Sequence, residues 1–424
     1  MGARSLKAAE PGAQVVPAPV TTYGFPAHFC GDTAMSNNYV RLKRLRRSDA
    51  AAASRCAERL LAMRRSLEPI RKRKSDSSLL LATWNIRDFD SNKFRYGPRL
   101  PETFYYIAEI ISCFDLVAVQ EVNRDLSALE TVMQILGREW DYIATDSTVG
   151  PGGNDERMAF VYNTEKVWFR KIAGEVVLPD GQLIVSRKKM KAAKSEAAGA
   201  GPDAETQKNV KKEYEEVKQQ FARTPFVVAF QSGWFRFSLC TVHIYYGKES
   251  GEALKRRIDE IERLVGFFAD RQDKVSRREA DRFGNVENYI LLGDFNVVSP
   301  EHQTMAALKS HGFMVPAAID GNKVRDENQH YYDQIAVRVK DPHFRVVAGG
   351  MVDMYKDVFR PQDLAVYAAA MPKSDPEKSK RSRATTAEAL FRKWRTWQMS
   401  DHSPLWIEIE TDYADHYLTE FTAG

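Results

Sequence analysis

Polar residues able to do chemistry stand at the ends of apolar runs spread over the chain. Asn85 closes LLLATWN, Glu121 interrupts DLVAVQEV, and Asp294 and Asn296 follow NYILLG within GDFN. Glu156 opens ERMAFVY, His243 ends TVH, Asp333 lies in YYDQIAV, and Asp401 and His402 are adjacent in SDH. Short apolar, β-branched runs of this kind read as buried strands, and a polar group at such an end is delivered to the rim of a sheet. Carboxylates and an amide there can hold a hard divalent cation through oxygen. Two imidazoles beside acids can handle a phosphate and its protons. Glu121 is the leading ligand candidate, because a lone carboxylate in an apolar strand is costly unless paired or metal-bound. Asn85 can add a neutral oxygen and Asp401 a further ligand, and Mg²⁺ needs only one or two carboxylates. Asp294 and Asn296, two residues apart on one strand end, point to the same side.

The elements that must carry these groups follow from periodicity. Strands are expected at 79–85, over DLVAVQEV, and near 140–145, 157–163, 167–171 and 175–178. Others are expected at 226–231, 234–243, 288–293, 333–338 and 344–348, and over PLWIEIE. Phe104, Ile107, Ile111 and Phe114 mark one helix, 124–137 another, and Leu254, Ile258, Ile261, Val265 and Phe268 a third. A short helix should follow Ser299-Pro300, and GPGGN at 150–154 reads as a turn. Residues 186–222 form an insertion: a low-complexity first half, then a surface helix carrying Val210, Tyr214, Val217 and Phe221. A second insertion, 361–398, contains the basic loop PKSDPEKSKRSR, and 413–424 is a tail.

Residues 1–40 are rich in Ala, Pro, Gly and Thr without period, a composition that predicts disorder. Residues 41–78 form a basic helical extension, with Ser48 or Asp49 as N-cap and Ala52, Cys56, Leu60, Met63, Leu67 and Ile70 on one face. Residues 1–78 hold 15 Lys and Arg against 6 Asp and Glu, a net +9, which leaves −4 for the rest of a chain whose total is +5. The extension therefore reads either as a structural helix or as an arm for nucleic acid or an anionic surface. No apolar run has the length of a membrane span, and the first residues lack a signal-type apolar segment. The 4 cysteines show no CxxC pairing, and Cys113 and Cys240 in apolar runs read as small buried hydrophobes. A cytoplasmic, intracellular location without stable membrane insertion is the expectation.

In order, ATWN, VQEV, ERMAFVY, TVH, GDFN, YYDQIAV and SDH resemble the motifs of the endonuclease/exonuclease/phosphatase superfamily over roughly residues 79–412. These are metal-dependent phosphodiesterases that include deoxyribonuclease I. Each motif alone is weak; their order makes the signal. YDQIAV is similar to the Tyr-Asp-Arg-Ile stretch of deoxyribonuclease I, and RTPFVVAF, with Arg223 and Pro225, to its Arg-Glu-Pro strand. His243 departs from the apurinic/apyrimidinic endonucleases, and the inositol polyphosphate phosphatase pattern around the acidic motifs is missing. Secreted deoxyribonucleases are disulfide-stabilised, and that framework is missing too.

The resemblance implies an α+β fold, a four-layer α/β/β/α sandwich over 79–412 with the two insertions. It implies Mg²⁺ or Mn²⁺ at Glu121, Asn85 and Asp401. Asp294 would orient or deprotonate the attacking water, or bind metal, and Asn296 would hold a phosphate oxygen. His243, paired with Glu156, and His402, paired with Asp333, would donate to the scissile phosphate from two sides. Arg223 matches the family's arginine and Arg157 merely neighbours Glu156; both are candidate substrate contacts. The implied activity is a divalent-metal-dependent phosphodiesterase, foremost a DNA endonuclease with nucleic acid as its partner. A lipid or small-molecule phosphodiesterase of sphingomyelinase type and a binding module without chemistry are the alternatives. The basic extension and the basic loop at 372–383 favour nucleic acid.

Overall fold

The computed structural model describes residues 37–147, 156–189, 214–279, 287–321, 330–379 and 382–422. Strand β1 (Ser78–Phe89) divides its side chains by parity. Leu79 and Leu81 enter one core, and Leu80, Ala82 and Trp84 enter another. A strand covered on both faces has no polar side to show, so LLLATW reads as an unbroken apolar run. β1 pairs in parallel with β2 (Leu116–Val122) and antiparallel with β13 (Leu405–Glu410). Adding β3 (Trp140–Ala144), β4 (Arg157–Asn163) and β12 (Val346–Met351) gives a six-stranded sheet of order β12-β13-β1-β2-β4-β3.

The second sheet has five strands in the order β11-β10-β9-β8-β5. Its members are β5 (Trp168–Glu175), β8 (Phe226–Ser232), β9 (Phe235–His243), β10 (Tyr289–Asp294) and β11 (Asp333–Arg338). The core between the sheets joins Leu79, Leu116 and Phe160 to Phe230, Phe237 and Leu239, with the Phe160 and Phe230 rings 5.6 Å apart. The outer face of the five-stranded sheet is covered by α5 (Gly251–Glu279), whose Phe268 ring lies 4.8 Å from that of Tyr289, and by α6 (Gln303–Leu308). The outer face of the six-stranded sheet carries α2 (Ala50–Arg71), α3 (Pro101–Ile111), α4 (Ser127–Leu136) and α8 (Ala387–Gln398). Helices, sheet, sheet and helices make the expected four layers.

The basic extension packs on this body. Asp49 separates α1 (Leu42–Ser48) from α2 and caps the latter, accepting from the Ala52 N–H at 2.8 Å. Cys56, Leu60, Met63 and Leu67 are buried on α2's expected face. Its flanking arginines are engaged: Arg55 with Glu102 at 2.9 Å, Arg59 with Asp363 at 3.0 Å, and Arg71 with Glu109. Glu102 and Glu109 are themselves buried, so these ion pairs compensate charges that the fold has already taken from water. Exposed positive charge is left on α1, at Arg41, Lys43, Arg44, Arg46 and Arg47.

Several elements differ from expectation. The helix expected in the second half of 186–222 is instead β7 (Tyr214–Gln219), antiparallel to β6 (Ile184–Lys189); a few apolar residues at that spacing cannot outweigh a pairing partner. Val210 lies outside the described residues. No separate strand forms at 175–178, where β5 ends. Residues 361–398 supply α7 (Leu364–Tyr367) and α8, with Phe391 and Trp394 in the core. The tail carries α9 (Ala414–Thr422). Residues 37–40 are described and enter a 3₁₀ turn at Tyr39–Arg41, while 1–36 and the GPGGN turn lie outside the described residues. Cys56, Cys113 and Cys240 are free and buried. Among the described residues, no helix is long and apolar enough to cross a membrane.

Candidate active site

Parallel strands end together, and the register shows which ends meet. His243 on β9 and Asp333 on β11 both sit opposite Asp294 on β10. Gly293 makes this approach possible: at φ +132° a Cβ there would fall 2.2 Å from the Val242 carbonyl oxygen. From the facing sheet, β1 brings Asn85 and β2 brings Glu121 to the same rim. The backbone turns sharply at this rim, with positive φ at Asp88 (43°), Glu121 (59°) and Asn296 (51°). Such departures at non-glycine residues collect where side chains must be aimed.

Asn85 ties the two sheets together. Its Nδ2 donates to Glu121 Oε1 at 3.0 Å and to Asp294 Oδ2 at 3.2 Å. Its Oδ1 is buried without a hydrogen-bond partner. Glu121 Oε2 accepts from the Asp88 N–H at 2.9 Å. Asp294 Oδ1 accepts from the Asn296 N–H at 2.9 Å, and Asn296 Nδ2 donates to the Ile244 carbonyl at 2.8 Å.

Both imidazoles converge on one oxygen. His402 Nδ1 lies 2.6 Å from Asp333 Oδ2, and its Nε2 lies 3.8 Å from Asp294 Oδ2. His243 Nδ1 lies 3.1 Å from Glu156 Oε2, and its Nε2 lies 3.5 Å from the same Asp294 oxygen. Burial opposes the charge on His402, but Asp333, Asp294 and Asp401 outweigh it and hold its pKa well above the usual value. Burial and Arg223 oppose the charge on His243, yet Glu156 and Asp294 still raise its pKa. Burial also opposes ionisation of Glu121, but His243, the Asp88 N–H and the Asn85 amide keep it below the ordinary carboxyl range.

The arginines expected to contact substrate have protein partners. Arg223 Nε donates to Glu156 Oε2 at 2.8 Å and so orients the acid behind His243. Arg157 donates to the Thr145 carbonyl at 2.6 Å and the Arg124 carbonyl at 3.3 Å, bracing the end of β4. Asp401 pairs with Arg87 at 3.0 Å. Glu121, Glu156 and His243 present ligand-type atoms within 4.8 Å of one another. Of these, the His243 ring faces Glu156 through Nδ1 and Asp294 through Nε2, and carboxylate and amide oxygens suit a hard cation better than an imidazole nitrogen. Glu121 with the unpartnered Asn85 oxygen is therefore the better hard-cation pair.

Sequence reasoning missed the residues that fix these groups in place. Ser400 Oγ donates to the Asn85 carbonyl at 2.6 Å and accepts from the His402 N–H at 3.0 Å. Trp84 Nε1 donates to the His402 carbonyl at 3.0 Å. Arg99, fully buried, donates to the Asp88 carbonyl at 2.8 Å and the Gln398 carbonyl at 3.0 Å, pinning the turn after β1. Only Ser400 carried a signal, since it is the serine of SDH. An open cavity of about 840 Å³, lined by Trp234, Arg236, Asn288 and His343, lies at the opposite ends of β9 and β10 and holds none of this chemistry.

No protein family is matched by the sequence, and no curated protein matches it. Solved structures do. An endonuclease/exonuclease/phosphatase family protein from Bacteroides thetaiotaomicron is similar at 19% identity over 79% of this chain and 98% of its own, TM-score 0.43. A humanized TDP2 of D. rerio is similar at 11% identity over 80% of this chain and 100% of its own, TM-score 0.42. The human Nocturnin catalytic domain is similar at 10% identity over 78% of this chain and 94% of its own, TM-score 0.43.

Proposed function

We propose that the chain is a divalent-metal-dependent phosphodiesterase that hydrolyses nucleic acid, most specifically a DNA endonuclease. One observation carries this reading: two buried imidazoles, each backed by its own carboxylate, aim their Nε2 atoms at the same Asp294 oxygen, at 3.5 and 3.8 Å. A phosphate between them would receive hydrogen bonds from two imidazolium groups as charge grows on its oxygens. Asp333 and Glu156 hold the rings and favour their charged forms. Asp294 is then placed to orient and deprotonate a water for in-line attack. Asn296, with one amide proton on Ile244, keeps the other for a phosphate oxygen.

Glu121 and the Asn85 oxygen fit Mg²⁺ or Mn²⁺, because a buried amide oxygen without a donor is unsatisfied until a cation or proton donor meets it. Asp401, the third candidate ligand, is paired with Arg87 at 3.0 Å. A bound cation would add charge stabilisation at the phosphate. The test is the purified protein with Mg²⁺ or Mn²⁺ on circular plasmid DNA, RNA and a panel of small phosphodiesters. Metal-dependent nicking of the plasmid is expected, and loss of it in EDTA. Failure to cleave any phosphodiester in either metal would overturn the reading.

A further inference from the structure

On both sides of the catalytic cluster the polar rim gives way to aromatic rings. In the turn after β1, the Phe94 ring is 48% exposed and its centroid lies 4.6 Å from that of Trp397 on α8. Trp397 is held from other directions: Tyr96 stacks on it at 4.8 Å and 10°, and the Arg87 guanidinium lies 3.8 Å from its centroid. Tyr96 is fixed in turn by its hydroxyl on Asp375 at 2.7 Å. Arg87 is also the partner of Asp401, the residue before His402. On the other side, the Tyr332 ring lies 5.9 Å from that of His402 itself. His330 stacks on Tyr332 at 4.3 Å and 12°, and Tyr246, 41% exposed, lies 6.0 Å away. The first cluster belongs to the six-stranded side and the second to the five-stranded side.

A single exposed phenylalanine needs no explanation. This one is the outer leaf of an anchored stack that continues through Arg87 and Asp401 to a catalytic histidine. Lys93 Nζ lies over the Phe94 ring, 5.3 Å from its centroid and 3.6 Å from Asp88, and exposed Arg95 adds positive charge beside it. An exposed ring with flexible cations close by is a platform for a planar group joined to a phosphate, the lysine swinging from the ring face to the phosphate. Base faces in a duplex are covered by their neighbours, and only an unpaired base can turn its face to such a ring.

Resting on the phosphodiesterase reading above, we propose that Phe94 stacks on an unpaired nucleobase on one side of the scissile phosphate. The Tyr332, Tyr246 and His330 cluster receives the base on the other side. The substrate is then single-stranded nucleic acid, or an unpaired stretch within a duplex.

The test compares three substrates in Mg²⁺: a short single-stranded oligonucleotide, the same oligonucleotide annealed to its complement, and an abasic oligomer of equal length. The wild-type protein should cleave the first with kcat/KM at least about tenfold above the other two, since base stacking is worth roughly 5- to 150-fold per base. Phe94→Ala should raise KM for the single strand by a similar factor, leave kcat unchanged, and leave the abasic oligomer unaffected. Phe94→Tyr should restore KM. Equal cleavage of all three substrates by the wild type, or a Phe94→Ala protein with unaltered KM, would overturn the stacking proposal while leaving the phosphodiesterase in place. No cleavage of any of the three, the abasic oligomer at saturation included, would overturn nucleic acid as the substrate and this proposal with it.

Discussion

The two sheets bring unlike rims to the cleft. On the five-stranded rim, Asp294 and Asp333 already have hydrogen-bonded neighbours: the Asn296 N–H at 2.9 Å and His402 Nδ1 at 2.6 Å. On the six-stranded rim, Glu121 accepts from backbone and amide, while the Asn85 oxygen is buried with no donor. The strand ends differ too. β9, β10 and β11 keep register to their last residues, whereas the β1–β2 pairing is irregular between Asn85 and Phe89. On the regular rim each acid has a donor within the protein. On the irregular rim Glu121 Oε1 lies 3.9 Å from His243 Nε2, and the Asn85 oxygen is the group a divalent cation would meet.

The largest effect should come from removing that difference. Glu121→Ala and Glu121→Gln should abolish turnover at ordinary Mg²⁺ with near-native circular dichroism, because the side chain is at a rim and not in a core. EDTA should do the same to the unmutated protein. An alanine variant fully active in chelator would sink the assignment of the cation to this rim. Next come the imidazoles of the regular rim and its partner. His402→Ala and His243→Ala should each lower kcat by roughly 10²–10⁴, the usual worth of a positioned acid or electrostatic donor. A loss below tenfold in either would remove that histidine from the reaction.

Much of this difference could be read from residues. GDFN, YYDQIAV and TVH placed Asp294, Asp333 and His243 at strand ends, because period and chain direction say where a strand stops. Asn85 and Glu121 were legible for the same reason. What holds them was not. Ser400, Trp84 and Arg99 act through backbone carbonyls about 300 positions away or on neighbouring turns, and no spacing encodes a contact of that kind. The partners of the arginines were hidden for a related reason. A guanidinium near a site in sequence says nothing of whether it faces substrate or a carboxylate, and Arg223 and Arg157 face Glu156 and backbone carbonyls. The basic run 41–74 showed the same ambiguity, and the side-chain partners of α2 favour the structural role.

The outer layers permit a smaller test of the same contrast. Leu60, buried between α2 and the six-stranded sheet, should cost about 2–5 kcal/mol of stability when changed to alanine, measured by urea unfolding. If the extension is a clasp, the salt dependence of DNA binding by Arg65→Ala, which removes an exposed charge of α2, should equal that of the wild type. A flattened salt slope would return phosphate contacts to α2.

The smallest effect separates the two carboxylates behind the imidazoles. Asp333→Asn and Glu156→Gln should each lower kcat by roughly 10–100-fold, the size seen when an orienting partner of a functional histidine is lost. Their pH profiles should differ. An imidazole that must be charged works below its pKa and fails as pH rises through it, so the alkaline limb is set by whichever ring deprotonates first. In the wild type this is His243, because Arg223 opposes its charge while Asp333, Asp294 and Asp401 all support that of His402. Glu156→Gln removes the acid that offsets Arg223, so the limb should move at once to lower pH. Asp333→Asn should move it less, because His402 must first fall past His243 before it controls the limb. Plots of kcat against pH for the three proteins in Mg²⁺ decide it. A limb unmoved in Glu156→Gln, or moved further in Asp333→Asn, would reverse the assignment and make His402 the first ring to lose its proton.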